Sequence, residues 1–141
     1  MAKRSAEQIL ELGDDMSRFL TAAHAASWAV MCPGHHDSAS QRRSGKPCKG
    51  NCWQRATLIE CARGGVRARE SYLAAEYHRL VRRRGDRKAI AAVGHSVLVA
   101  ARHILRHGVR YHDLGREHFD RLDRARLVRH HTRGRWTARR P

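Results

Sequence analysis

Apolar residues recur along this chain at helical rather than strand spacing. The strongest instance is Ile90, Val93, Val97, Ala101 and Ile104, at steps of three, four, four and three. That spacing sets all five on one face and predicts a core helix that Gly108 ends. Residues 5–12 predict a short helix with Ile9 and Leu12 inward, closed by Gly13 and a turn at Asp14, Asp15 and Ser17. Thr21 is placed to cap a helix over AAHAASWAVM, with Ala25, Trp28 and Ala29 on one face and Pro33-Gly34 as its stop. Asn51 is a cap for a helix carrying Trp53, Ala56, Ile59 and Arg63, which Gly64-Gly65 weakens or kinks. Leu73, Tyr77 and Leu80 predict a further helix running into Arg82-Arg83-Arg84-Gly85, and Glu117 to Arg129 predicts a last one with Phe119, Leu122 and Ala125 inward. Trp28, Trp53 and Cys61 are read as core. The fold class is all-α, an irregular domain of about five or six helices. One domain is expected over residues 1–128, followed by a basic tail at 129–141 in which order is not expected.

One stretch breaks the helical period. Cys32 to Arg55, CPGHHDSASQRRSGKPCKGNCWQR, is rich in Gly, Ser and cations and holds two of the three prolines. It reads as a long loop with a possible small hairpin within residues 35–48. Ser38 and Ser40 are followed by Arg42, Arg43, Lys46, Lys49 and Arg55, with no acid in between. A hydroxyl beside clustered cations suits phosphodiester chemistry: the cations hold the phosphate and the hydroxyl attacks phosphorus. A solvated turn serine is the plainer alternative.

Charge narrows the choice of partner. Lys and Arg total 29 against 13 acids, a formal net charge of +16. Such an excess repels itself in a compact fold and favours a polyanion, with nucleic acid first; an Arg-rich background surface is the alternative. Residues 121–141 alone carry eight Arg and one acid. No unbroken run of about 18 apolar residues exists, and the N-terminus lacks the apolar core of a signal peptide. No membrane partner is therefore expected, the location is expected to be cytoplasmic, and the cysteines are expected to be free thiols.

The loop also has a wording of its own. CPG-x3-S-x4-RSGK-x2-KGN-x-W-x-R resembles the C-terminal transposase domain of the insertion-sequence 110/116/902 family, RNA-guided transposases of bacterial mobile elements. The likeness runs from about residue 7 to 128 and includes the Tyr-x-Asp-Leu-Gly turn at Tyr111–Gly115. It implies that Ser38 is the nucleophile, forming a phosphoserine link to DNA, and that Ser40 stands at a spacing position. It implies phosphate-holding roles for Arg42, Arg43, Lys46 and Lys49, and a cap or phosphate-donor role for Asn51. Full-length relatives also carry an N-terminal RuvC-like domain whose four acids bind Mg²⁺, use a guide RNA and act as oligomers. No cofactor is expected on this chain itself, and Mg²⁺ is expected on that other domain. The chain reads as a truncated copy, or one with an alternative start or a shifted frame at its end. A non-catalytic nucleic-acid-binding remnant is the competing reading.

A second chemistry shares the loop. Cys32-x2-His35 and Cys48-x3-Cys52 form two close pairs of soft ligands, as structural zinc sites do. The resemblance lends these positions no support, so stoichiometric zinc is not expected and a small zinc-stabilised module stays a third reading. His103 and His107 stand four apart but form no catalytic motif.

Overall fold

The computed structural model describes residues 16–32, 37–38, 41–42, 51–124 and 128. Four helices follow the predicted order: α1 (Ala22–Trp28), α2 (Cys52–Val66), α3 (Tyr72–Arg84) and α4 (Asp86–His107), with a fifth helical stretch, α5, at 118–124. Between α1 and α2 lies a minimal antiparallel ladder, β1 (Asp37–Ser38) and β2 (Gln41–Arg42). The domain is all-α, with the small hairpin where the loop composition allowed one. The helix expected at 5–12 and the tail at 129–141 lie outside the described residues.

The long helix α4 is the axis. It packs against α1, α2 and α3 and buries Ala89, Ile90, Val93, Gly94, Val97 and Leu98, the face that the 90/93/97 spacing foretells. Gly108 ends it in the left-handed conformation. By length and composition α4 is apolar enough to cross a membrane, with a mean hydropathy of 1.2, a property that the search for an unbroken apolar run passes over. Its apolar face is occupied by the other helices.

Two clusters fill the interior. In the larger, Met16, Phe19 and the alanines Ala25, Ala26 and Ala29 meet Leu58, Val97 and Leu98. The smaller joins Ala62, Ile90 and Val93, with Leu73 of α3 packed against both. Two glycines make these crossings close. A Cβ on Gly94 would stand 2.8 Å from Met31 Cε and 3.4 Å from the Leu58 carbonyl oxygen, and one on Gly65 would stand 2.7 Å from Leu73 Cδ1. Gly65 therefore serves packing between α2 and α3, and α2 continues through Gly64-Gly65 to Val66.

Side-chain caps and one arginine fix the ends. Thr21 accepts from the His24 N–H at 3.2 Å and Asn51 from the Gln54 N–H at 3.2 Å, as their positions predict. Ser71 caps α3 at the Ala74 N–H. Arg102 of α4 donates to the carbonyls of Phe19 and Leu20, at 2.9 and 2.7 Å through Nη2, and so ties the segment before α1 to the axis. Charge-assisted bonds of this kind are the stronger class.

The Tyr111–Gly115 turn is a clasp. Asp113 accepts from the backbone N–H of Tyr72 at 2.9 Å and of Gly115 at 2.7 Å, so the chain after α4 closes over the start of α3. Burial works against its charge, but these two N–H groups, the Tyr111 hydroxyl and His112 outweigh it and hold the carboxyl below its ordinary range. A depressed pKa adds stability that is complete above the unfolded-state value and is lost as pH falls through the folded value. Asp113→Ala is expected to cost about 1 kcal/mol at neutral pH as a lost cap. The gap from wild type should narrow on acidification below about pH 4. Denaturant melts of both proteins across that range check the sign.

Three inward faces differ from expectation. Trp28 is 38% exposed, because α1 buries Ala25, Ala26 and Ala29 and leaves the indole at the edge, tilted against Phe19 at 5.5 Å. Trp53 is 76% exposed and Leu122 is also exposed. On α2 the buried set is Gln54, Thr57, Leu58 and Ala62, roughly opposite the expected 53/56/59/63 face, of which Ile59 alone packs partly against the smaller cluster. A hydrophobicity pattern follows the tryptophan, but two polar residues take the inward positions. The Thr57 hydroxyl is satisfied by the Trp53 carbonyl at 3.1 Å, which makes that burial tolerable. Cys61 does pack against the larger cluster.

Candidate nucleic-acid interface

The basic loop departs from a fixed post. Helix α1 ends at Trp28, well before Pro33. Val30 adopts a left-handed backbone, φ 57°, while the N–H of Met31 bonds to the Ala26 carbonyl at 2.8 Å and that of Val30 to Ser27 at 3.1 Å. This is the paired-bond helix ending that glycine usually supplies. A buried valine there bears strain. Met31 and Cys32 then pack on the larger core cluster, so the loop leaves from an anchored position.

The hairpin lies just beyond. Its register pairs Asp37 with Arg42 and Ser38 with Gln41, which sets the backbone of the expected nucleophile opposite that of Gln41, next to Arg42. Ser40, Arg43, Lys46, Lys49, His35 and Cys48 lie outside the described residues. Half of the zinc quartet is therefore undescribed; of the other half, Cys32 is half-buried and Cys52 exposed. Among the described residues no three His, Cys, Asp or Glu side chains group to hold a metal.

The loop returns into the N-terminus of α2. Asn51 is its cap, the first of its two expected roles. The first turn carries no acid, so the positive end of the helix dipole stands unopposed, an arrangement that favours anions. Arg55 is half-buried on that turn. Two neighbours depart from what the sequence predicts. Trp53 presents its indole to solvent, and Gln54 is buried with no hydrogen-bond partner for its Nε2 among the described residues. An inward glutamine leaves no trace in a hydrophobicity pattern.

A second basic region surrounds Gly85. Arg82, Arg83, Arg84, Arg87 and Lys88 are all exposed, and none is in an ion pair among the described residues. Arg79, by contrast, is engaged by Asp123 at 3.1 Å and lies over the Phe119 ring. Arg87 and Lys88 stand in the first turn of α4, where cations oppose the helix dipole. Asp86 is the single acid in that turn, and cations in such excess over it suit an outside polyanion.

The sequence profile described as the transposase IS116/IS110/IS902 family matches residues 2–79. The chain belongs to that family. The matched stretch contains the whole loop, Ser38 included, and stops short of the Tyr111–Gly115 turn. No curated protein and no solved structure matches the chain. As a member of a transposase family, the protein has a role in DNA transposition and so interacts with DNA.

Proposed function

We propose that this transposase domain exchanges DNA strands through Ser38. The observation that carries the reading is the family match over a loop in which a serine is followed by cations and no acid. The Ser38 hydroxyl oxygen bonds to phosphorus as the bond from phosphorus to a deoxyribose oxygen breaks. The hydroxyl proton passes to a base and the departing oxygen takes one up. One phosphodiester replaces another, so the reverse attack by a second strand's hydroxyl needs no energy source. Arg42, Arg43, Lys46, Lys49 and Arg55, with the N-terminus of α2 behind Asn51, hold the phosphate and offset charge developing on its oxygens.

The described residues do not fit a resident Mg²⁺ site, since no acid cluster is found among them. Activation of Ser38 is assigned to acids of a RuvC-like domain acting with this one. The proposal includes a guide RNA for target choice, a homo-oligomer as the working unit, and a cytoplasmic, nucleoid-bound location with no membrane partner.

Binding itself has a simple test. Duplex DNA of any sequence should bind with a log–log salt slope near −5, for about six phosphates neutralised. Affinity that is indifferent to salt between dilute and physiological buffer would overturn a phosphate-dominated mode.

A further inference from the structure

Away from the basic loop, where residues 111–114 cross α3 and α4, a cleft of about 310 Å³ opens to solvent. That is the small end of the range of roughly 300–1,000 Å³ for small-molecule sites, room for one flat ring system. Its walls are rings: Tyr72 and Tyr111, with His95 and His112. Val99 and Leu114 make the rest apolar. One face of Tyr72 is taken by Phe119, stacked at 5.1 Å. Tyr111 is 53% exposed, so its ring is open to a ligand.

Two hydroxyls in the lining have settled directions, and that of Tyr111 donates to Asp113 Oδ2 at 3.4 Å. The Ser96 hydroxyl donates to Glu76 Oε1 at 2.9 Å, so what it offers the cleft is a lone pair. Burial pushes the Glu76 carboxyl up from its ordinary range, and the Ser96 bond pulls it back. The cleft thus asks for a flat aromatic ligand with an N–H donor at its edge. The net charge of +16 and the family's DNA interaction bring polyanions to the protein, and the exposed Arg110 adjoins Tyr111 in the chain.

We propose that this cleft receives an unpaired DNA base carrying an exocyclic amino group, with Tyr111 stacking on the base and Ser96 accepting from the amino group. The proposal rests on the DNA-binding reading above. Thymine has no exocyclic amino group; its single edge donor, N3–H, is recessed between two carbonyl oxygens that repel the Ser96 lone pair, so thymine is the disfavoured base.

Three duplexes of otherwise identical sequence test it on the full chain: fully paired, with one unpaired adenine, and with one unpaired thymine. The adenine bulge is expected to bind about tenfold tighter than the paired duplex, the scale of one base–aromatic stack, and the thymine bulge to lose most of that gain. Tyr111→Ala should remove the preference and leave affinity for the paired duplex unchanged. Ser96→Ala should bring adenine and thymine together; because it also strips Glu76 of its donor, the exposed Tyr111 carries the decisive comparison. Equal binding of paired and adenine-bulged DNA, or a preference that survives Tyr111→Ala, overturns the cleft alone. Failure to bind any of the three duplexes overturns the DNA-binding reading and the cleft with it.

Discussion

Ser38→Ala is expected to abolish covalent protein–DNA adduct formation, while Ser40→Ala leaves most of it. An adduct requires an oxygen that can bond to phosphorus, and alanine has none. The loss should exceed about 10³-fold, the scale on which removal of a covalent nucleophile is felt. A serine hydroxyl is a poor nucleophile at neutral pH and needs a base beside it. The only acid in the loop is Asp37, whose backbone pairs with Arg42 rather than with Ser38's partner Gln41. The chain by itself is therefore expected to form no adduct. With a family RuvC-like domain supplied in trans, matching guide RNA and Mg²⁺ in the buffer, the adduct should appear on denaturing gels with labelled DNA. An adduct that persists in Ser38→Ala refutes the serine assignment. One formed by the chain alone refutes the argument from missing acids and leaves Ser38 standing.

Leu58→Ala is expected to be the most damaging core truncation on α2, at about 2–5 kcal/mol. Leu58 is fully buried in the larger cluster, with Ala25, Ala26 and Ala29 of α1 in the same core. Alanines have no rotatable side chain to swing into the space left behind, so the loss should lie in the upper part of that range. Domain stabilities total about 5–15 kcal/mol, so this one change threatens the fold. Leu122→Ala, at an exposed position, is the control and should stay within about 0.5 kcal/mol. Equilibrium denaturation of the two variants makes the comparison, and equal losses would mean that the core is not where these contacts put it. The same packing anchors Met31 and Cys32, so a loosened core should also loosen the departure point of the basic loop.

Local chemistry was readable in the sequence because it depends on neighbours in the chain. Thr21 and Asn51 cap the helices they precede, Gly108 ends the axis, and the 90/93/97 face is the one that α4 buries. The wording of Cys32–Arg55 pointed to the family whose profile matches. Packing decided what remained. Which face of α2 turns inward depends on α4, where Gly94 lets the Leu58 backbone approach, and that contact draws Gln54 and Thr57 inside while Trp53 stays in water. The clasp from Asp113 to Tyr72 joins residues 41 apart, and the Arg102 bonds to Phe19 and Leu20 span 83 and 82. Neither has a local signature, since an aspartate in a turn and an arginine on a helix look solvated until the fold brings a backbone to them. The cleft between Tyr72, Ser96 and Tyr111 exists for the same reason: it is assembled from three parts of the chain, and only their meeting gives it walls.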